Sequence, residues 1–325
     1  MIVLDSNAVR CDGFGASCNA TLLHGLSVVC GHPLALPQLV LEEDLANYRR
    51  SIQKYLGAGD TERVLAAVPT WVRRADVARG LSTDMPTTTT AVRYREEALR
   101  KVFWKVLPSP EGSSDEAHRR EVNRIRPASS SGGEGRDVVV WLTALAAASE
   151  VAPHQLIFVS KDGTFRFEDT HRLHGELLSE APPNLRFLPT VEAVIDRLSS
   201  HADVDADHAG SPDVLNAIAR TVIDGNDDPN HDLRRDLWGW EPQGLPPHAR
   251  TPTVEPSLQQ TRKVKARTVG TTRLTAIDAV YRLDLHWSDA EQAALTVRLG
   301  ILMLHEEEFL GSVRVLARSG LQRAS

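Results

Sequence analysis

The chain has 325 residues, 42% of them hydrophobic and 25% charged, an ordinary globular balance with enough length to bury a sizeable core and to make two domains. No apolar run approaches the roughly 18 to 20 residues that cross a bilayer, and the opening MIVLDSNAV lacks the pattern of a secretory leader, so no membrane partner and a cytoplasmic setting are expected. Cys11, Cys18 and Cys30, with no Cys-x-x-Cys pair, support neither a disulfide framework nor a zinc site, and the net charge of -6 does not argue against a nucleic-acid partner until its distribution is known.

The run Ile2 to Leu4 breaks at Asp5-Ser6-Asn7, which predicts a buried strand followed by a turn or helix cap. Cys30 closes the strand-like run LSVVC and is assigned to packing, with Cys11 and Cys18 assigned to loops. Leu34 to Leu36 predict a second strand. Pro37 then opens a helix with Leu39, Leu45, Tyr48 and Ile52 near helical spacing. Residues 51 to 127 are expected to form a basic helical insertion, carrying Arg73, Arg74, Arg79, Arg93, Arg95 and Arg100 and ending in Arg119, Arg120, Arg124 and Arg126. Each of these alone reads best as a solvated helix face; several together make a basic ledge. PASSSGGEG is a polar loop, and Arg136-Asp137 open VVVWLTALAAAS, too long for a strand and Ala-rich at its end, hence a buried helix with Asp137 in its first turn. Leu156 to Ser160 are a central strand running into Lys161-Asp162-Gly163, and Phe187 to Pro189 with a helix from Thr190 to Leu198 add one more unit. Strands alternating with helices predict a parallel α/β sheet.

Residues 201 to 262 read as a linker with one short helix from Pro212 to Val222. Its His201, His208 and His231 lack a helix-spaced pair and read as solvated, and its Trp238 and Trp240 read as packing anchors. From residue 263 the period becomes two. Ile277, Ala279, Tyr281, Leu283 and Leu285 alternate with Asp278, Arg282, Asp284 and His286, and similar runs at 295 to 303 and at Val313 and Val315 predict an antiparallel β-rich module over 263 to 325. Domains are therefore expected at 1 to 200, 201 to 262 and 263 to 325.

In an open α/β sheet, functional groups gather where strands end. Asp5 and Asp162 each follow an apolar strand, Asp137 opens a helix and Glu43 lies on the helix after Pro37, so four carboxylates are expected at one edge. Crowded carboxylates repel one another, and hard divalent cations such as Mg²⁺ or Mn²⁺ relieve that repulsion while supporting phosphodiester hydrolysis.

Four stretches, VLDSN, PQLVLEE, GRDVVVWL and FVSKDGTF, stand in an order and spacing that resemble the PIN domain, the nuclease fold of many toxin and RNA-processing ribonucleases. The likeness covers about residues 1 to 198. The helical insertion and the Arg-Asp helix bearing Trp141 are similar to a larger bacterial subgroup of the family rather than to its compact toxin members. The resemblance implies a PIN-like parallel sheet flanked by helices and an acidic set on Asp5, Glu43, Asp137 and Asp162, binding Mg²⁺ or Mn²⁺. Glu42 competes with Glu43 for the second place, and Glu43 is preferred because it lies six residues after Pro37. Ser6 and Ser160 are candidates for orienting carboxylates or waters, alongside simple backbone capping.

By the same resemblance the activity is metal-assisted hydrolysis without a side-chain nucleophile, and RNA is preferred over DNA as substrate. Arg119, Arg120, Arg124, Arg126 and Arg136 are candidate phosphate contacts. The leading reading is an endoribonuclease, as a toxin or defence effector. A structure-dependent DNA nuclease and an inactive scaffold that binds a protein are the alternatives, and the C-terminal module is a candidate for self-association or for docking an inhibitory or activating protein.

Overall fold

The computed structural model describes residues 1–11, 17–58, 88–128, 134–168, 170–203, 211–224, 253–286, 292–306 and 309–323. Arg73, Arg74, Arg79, His208, His231, Trp238, Trp240 and most of the PASSSGGEG loop lie outside them. The chain divides into two compact units: residues 1–14, 23–47 and 96–199 form the first, and residues 15–22, 48–95 and 200–325 the second.

The first unit is built on five parallel strands in the order β3-β2-β1-β4-β5. These are β1 (Ile2–Leu4), β2 (Leu34–Pro37), β3 (Lys105–Leu107), β4 (Leu156–Val159) and β5 (Leu185–Leu188). The three central strands are buried at every residue, which is why they read as unbroken apolar runs rather than alternating ones. The helices α1 (Ser6–Cys11), α2 (Cys18–Val29), α3 (Gln38–Gly57), α4 (Thr88–Val102), α5 (Ser113–Asn123), α6 (Gly135–Val151), α7 (Gly175–Glu180) and α8 (Val191–Leu198) alternate with or follow the strands.

Sheet order reverses between β1 and β4, since β2 and β3 extend to one side and β5 to the other. This is the switch point at which the carboxyl ends of parallel strands open a crevice. Asp5 and Asp162 follow the two strands that flank it. Beneath them, Trp141 of α6 packs with Phe158 and Phe165 at ring-centroid distances of 5.9 and 6.3 Å. The Trp141 indole N–H donates to Glu180 at 3.0 Å, so its polar edge is satisfied inside the fold.

Three local expectations are corrected. LSVVC is not strand-like: it is the end of α2 with Cys30 just beyond, because Leu22, Leu23 and Leu26 bury a helical stripe. Cys18 is not a loop thiol but opens the same helix, buried. The region read as wholly helical contains β3, which at three residues is too short to show any periodicity.

In the second unit β6 (Ser200–Ala202), β7 (Thr253–Val269), β8 (Thr272–His286), β9 (Gln292–Glu306) and β10 (Phe309–Arg323) form an antiparallel sheet in the order β10-β9-β8-β7-β6. Gly270, at φ 58, supplies the left-handed residue of the two-residue turn joining β7 to β8. The helix α9 (Pro212–Asp224) packs on the sheet, with the Tyr281 hydroxyl donating to the Leu215 carbonyl at 3.0 Å. β7 begins at Thr253, within the stretch read as a linker. Its Gln259 to Lys263 are exposed polar residues that conceal the two-residue period. Among the described residues, no helix is long and apolar enough to cross a membrane.

Candidate active site

β1 delivers Asp5 to the switch point and leaves it 3% exposed. Its carbonyl accepts from the amides of Ala8 and Val9, so the residue also caps α1. One carboxylate oxygen accepts from the Ser6 amide at 2.6 Å and the other from the Ser160 hydroxyl at 2.6 Å. Ser160 directly follows β4, and its Oγ in turn accepts from the Asp162 amide at 3.0 Å. A single hydroxyl thus ties the two strand ends together. Of the two serines singled out in the sequence, Ser160 acts through its side chain and Ser6 through its backbone.

Asp162 turns the chain after β4. Its Oδ1 accepts from the Thr164 amide at 2.9 Å, an Asx turn, and its Oδ2 accepts from the Asn7 side-chain amide at 3.2 Å. Thr164 also reaches Asp137, its hydroxyl 3.4 Å from Oδ2. Asp137 sits in the first turn of α6, whose N-terminus is anchored from α5: the Gly135 amide donates to Glu121 at 2.7 Å. A Cβ at Gly135 would lie 2.9 Å from that carboxylate, which would have to swing aside. Asn7, Thr164 and Glu121 were not singled out in the sequence. The Asp-Gly-Thr turn was the available signal for Thr164; Glu121 had none, because it lies 14 residues from its partner.

Burial is the largest cause raising the Asp5 carboxyl above its usual range; the charges of Asp162 and Glu43 add to it, while the Ser160 and Ser6 hydrogen bonds oppose it. Asp137 is pushed up to about 7, first by burial and then by the charges of Asp162, Asp5 and Glu134. Asp5, Asp137 and Asp162 therefore share one electrostatic neighbourhood, and Glu43 touches it through Asp5. Glu43 pairs with Arg136 at 3.1 Å, whereas Glu42 is exposed and bonds Gln38 on its own helix.

The donors are carboxylate oxygens, the chemistry a hard divalent cation takes. Among the described residues no three acidic, His or Cys side chains stand gathered as a metal-holding group. Each of the four carboxylates is held instead by protein donors.

The candidate phosphate contacts separate sharply. Arg120 is 7% exposed and donates to Glu116, to Glu180 and to the Arg126 carbonyl, so it is a structural brace rather than part of a ledge. Arg119 is exposed and paired with Glu116 on the same helix. Arg124 is the exposed, left-handed C-cap of α5. Arg126 donates to the Thr164 carbonyl at 3.1 Å beside the acidic group, and Arg136 is exposed next to Glu43.

A parallel sheet with acidic residues at its switch point is an open α/β domain whose candidate site lies at the carboxyl ends of its strands. A family model described as a PIN domain matches residues 2–165, about half the chain. The chain belongs to the PIN-domain family, a family of nucleases. No curated protein and no solved structure matches it.

Proposed function

We propose that the protein is a divalent-metal-dependent endoribonuclease whose site consists of Asp5, Glu43, Asp137 and Asp162. The observation that carries the reading is the hydrogen-bond chain through Ser160 and Thr164 that gathers Asp5, Asp162 and Asp137 at the switch point, where burial and neighbouring carboxylates raise Asp5 and Asp137. A bound Mg²⁺ or Mn²⁺ would supply positive charge, together with activation of water and stabilisation of the leaving oxygen. The residues of the chain hold the geometry: Ser160 fixes Asp5 against Asp162, Thr164 links Asp162 to Asp137, and Glu121 anchors the helix that carries Asp137. Arg136 and Arg126 are the arginines we assign to the substrate phosphates, since both border the acidic group. The preference for RNA, and a setting as a toxin or defence effector, rest on the family's ribonucleases.

The test is cleavage of labelled single-stranded RNA and of the matching DNA, by wild type and by Asp137→Asn, with Mn²⁺, Mg²⁺ or excess EDTA. Cleavage of RNA that requires metal and falls at least about 100-fold in the variant supports the reading. Cleavage that persists in EDTA or in Asp137→Asn removes the carboxylate site, and cleavage of DNA alone replaces the substrate.

A further inference from the structure

We propose that the paired segments 165–168 and 170–174, shortly after Asp162, form a stacking platform for one unpaired nucleobase of the bound strand, with Phe167 as the stacking ring. The proposal deepens the nuclease reading above and relies on it for the purpose of the bound strand, but not for binding itself.

Phe165 points inward, fully buried, its ring edge-on to Phe158 at 5.2 Å. Two residues on, where a regular strand would return to the same face, Phe167 is instead 45% exposed, so the backbone between the two rings is not regular strand. The arms are paired: the Phe167 amide donates to the Arg172 carbonyl at 3.0 Å, and the His174 amide to the Phe165 carbonyl at 2.9 Å. Arg166 stands opposite Leu173 as the bridge.

An exposed phenylalanine by itself is ordinary surface. Three observations separate this one. Its ring rests on that of His174, centroids 5.9 Å apart and tilted 46°. The His174 ring is itself held, because its Nδ1 accepts from the Glu176 amide as the N-cap of α7. One side of Phe167 is therefore supported, and its exposed surface is available to a π-face. The base of these segments is also part of the acidic site, since Thr164 bonds both Asp162 and Asp137 and its carbonyl accepts from Arg126. Three residues of extended chain span at most about 10 Å, so the ring lies within reach of a nucleotide near the scissile bond.

Arg166 and the exposed His171 and Arg172 lie in the same segments, together with the exposed Glu168 that follows Phe167, and Arg126 braces their base. An aromatic ring bordered by cations is the combination that holds single-stranded nucleic acid, with stacking contributed base by base and phosphates neutralised beside it. A duplex keeps its bases stacked on one another, so the platform selects unpaired RNA over paired RNA.

The experiment is fluorescence anisotropy in EDTA, where cleavage is not required. The probe is a fluorescein-labelled oligoadenylate of about 12 nucleotides, within the span one binding fold covers, compared with an RNA duplex of the same length. Thermal unfolding of each variant checks folding. Phe167→Ala is expected to weaken single-strand binding about tenfold with little change for the duplex, and Phe167→Trp to retain or tighten it. Equal single-strand affinity of wild type and Phe167→Ala overturns the platform, as does equal weakening for strand and duplex, or wild type that binds no strand. The two readings fail separately. Metal-dependent cleavage with an indifferent Phe167→Ala leaves the nuclease and removes the platform; a Phe167-dependent strand binder that never cleaves does the reverse.

Discussion

The Ser160 hydroxyl donates to Asp5 at 2.6 Å while accepting from the Asp162 amide at 3.0 Å, so one buried oxygen sets the spacing of two carboxylates that come from adjacent strands. Residues 155 positions apart in the chain thereby become one unit. The hydrogen bond also opposes the burial that pushes the Asp5 carboxyl up, keeping its charged form more accessible.

Ser160→Ala should therefore lower metal affinity and RNA cleavage about 10- to 100-fold, the range for removing a group that orients a metal-binding side chain. Titration of Mn²⁺ by calorimetry, with cleavage rates alongside, checks it. Unchanged affinity and rate would make Ser160 a packing residue.

The raised carboxyls predict a pH effect on the metal-free protein. Asp137 has an ordinary value of 3.8 and is pushed up to about 7 in the fold. Between those limits the folded chain keeps a proton that the unfolded chain has released, so this group's contribution falls as pH rises from about 4 to about 7. Asp5 acts in the same direction. In EDTA, Asp137→Asn should raise Tm over wild type more at about pH 8 than at about pH 5, because the amide removes the charge. Equal differences at both pH values in thermal unfolding would contradict the assignment.

Arg119 and Arg120 are neighbours with opposite expectations. Arg120→Ala should cost on the order of 3 kcal/mol in urea unfolding, since it strips a buried cation from Glu116 and Glu180. Arg119→Ala should leave the unfolding midpoint close to that of wild type, because Arg119 is exposed and solvent screens its pair with Glu116. A joint reversal of the two would confuse binding with unfolding, so RNA affinity and its salt dependence are best read from Arg119→Glu alone. The scheme fails if Arg120→Ala unfolds at the wild-type midpoint.

We take residues 1 to 200 as the catalytic domain, and a chain ending there should keep the parallel sheet and the cleavage activity. It should melt at a lower temperature, because Cys18 and Asn19 lose their hydrogen-bond partners on β7 and β8. Precipitation, or loss of the far-UV signal of the sheet, would move the boundary.

Much of the first unit was legible in the chain itself. Strands buried on both faces, such as Ile2–Leu4 and Leu156–Val159, need continuous apolar runs, and the polar residue that ends each run marks the strand's carboxyl edge. Asp5 and Asp162 could be read as edge residues on that ground alone, and Asp137 as a first-turn residue from the helix that Trp141 occupies. The two-residue period of Ile277 to Leu283 likewise announced β8. β3 and β7 were not legible, the first for its length and the second because its exposed half is polar.

Only tertiary structure decided which charges are free to work. Arg119 and Arg120 are identical in sequence terms, yet the helix turns one outward and the other into Glu116, Glu180 and a backbone carbonyl. Glu42 and Glu43 differ by one position, and a rotation of about 100° per residue on α3 sends one toward solvent and the other toward Arg136. Phe165 and Phe167 divide in the same way, one into the core and one onto His174. Local sequence carries periodicity and strand ends, because these depend on neighbours in the chain. Partnership, burial and pKa depend on residues brought from elsewhere, and those arise only when the chain has folded.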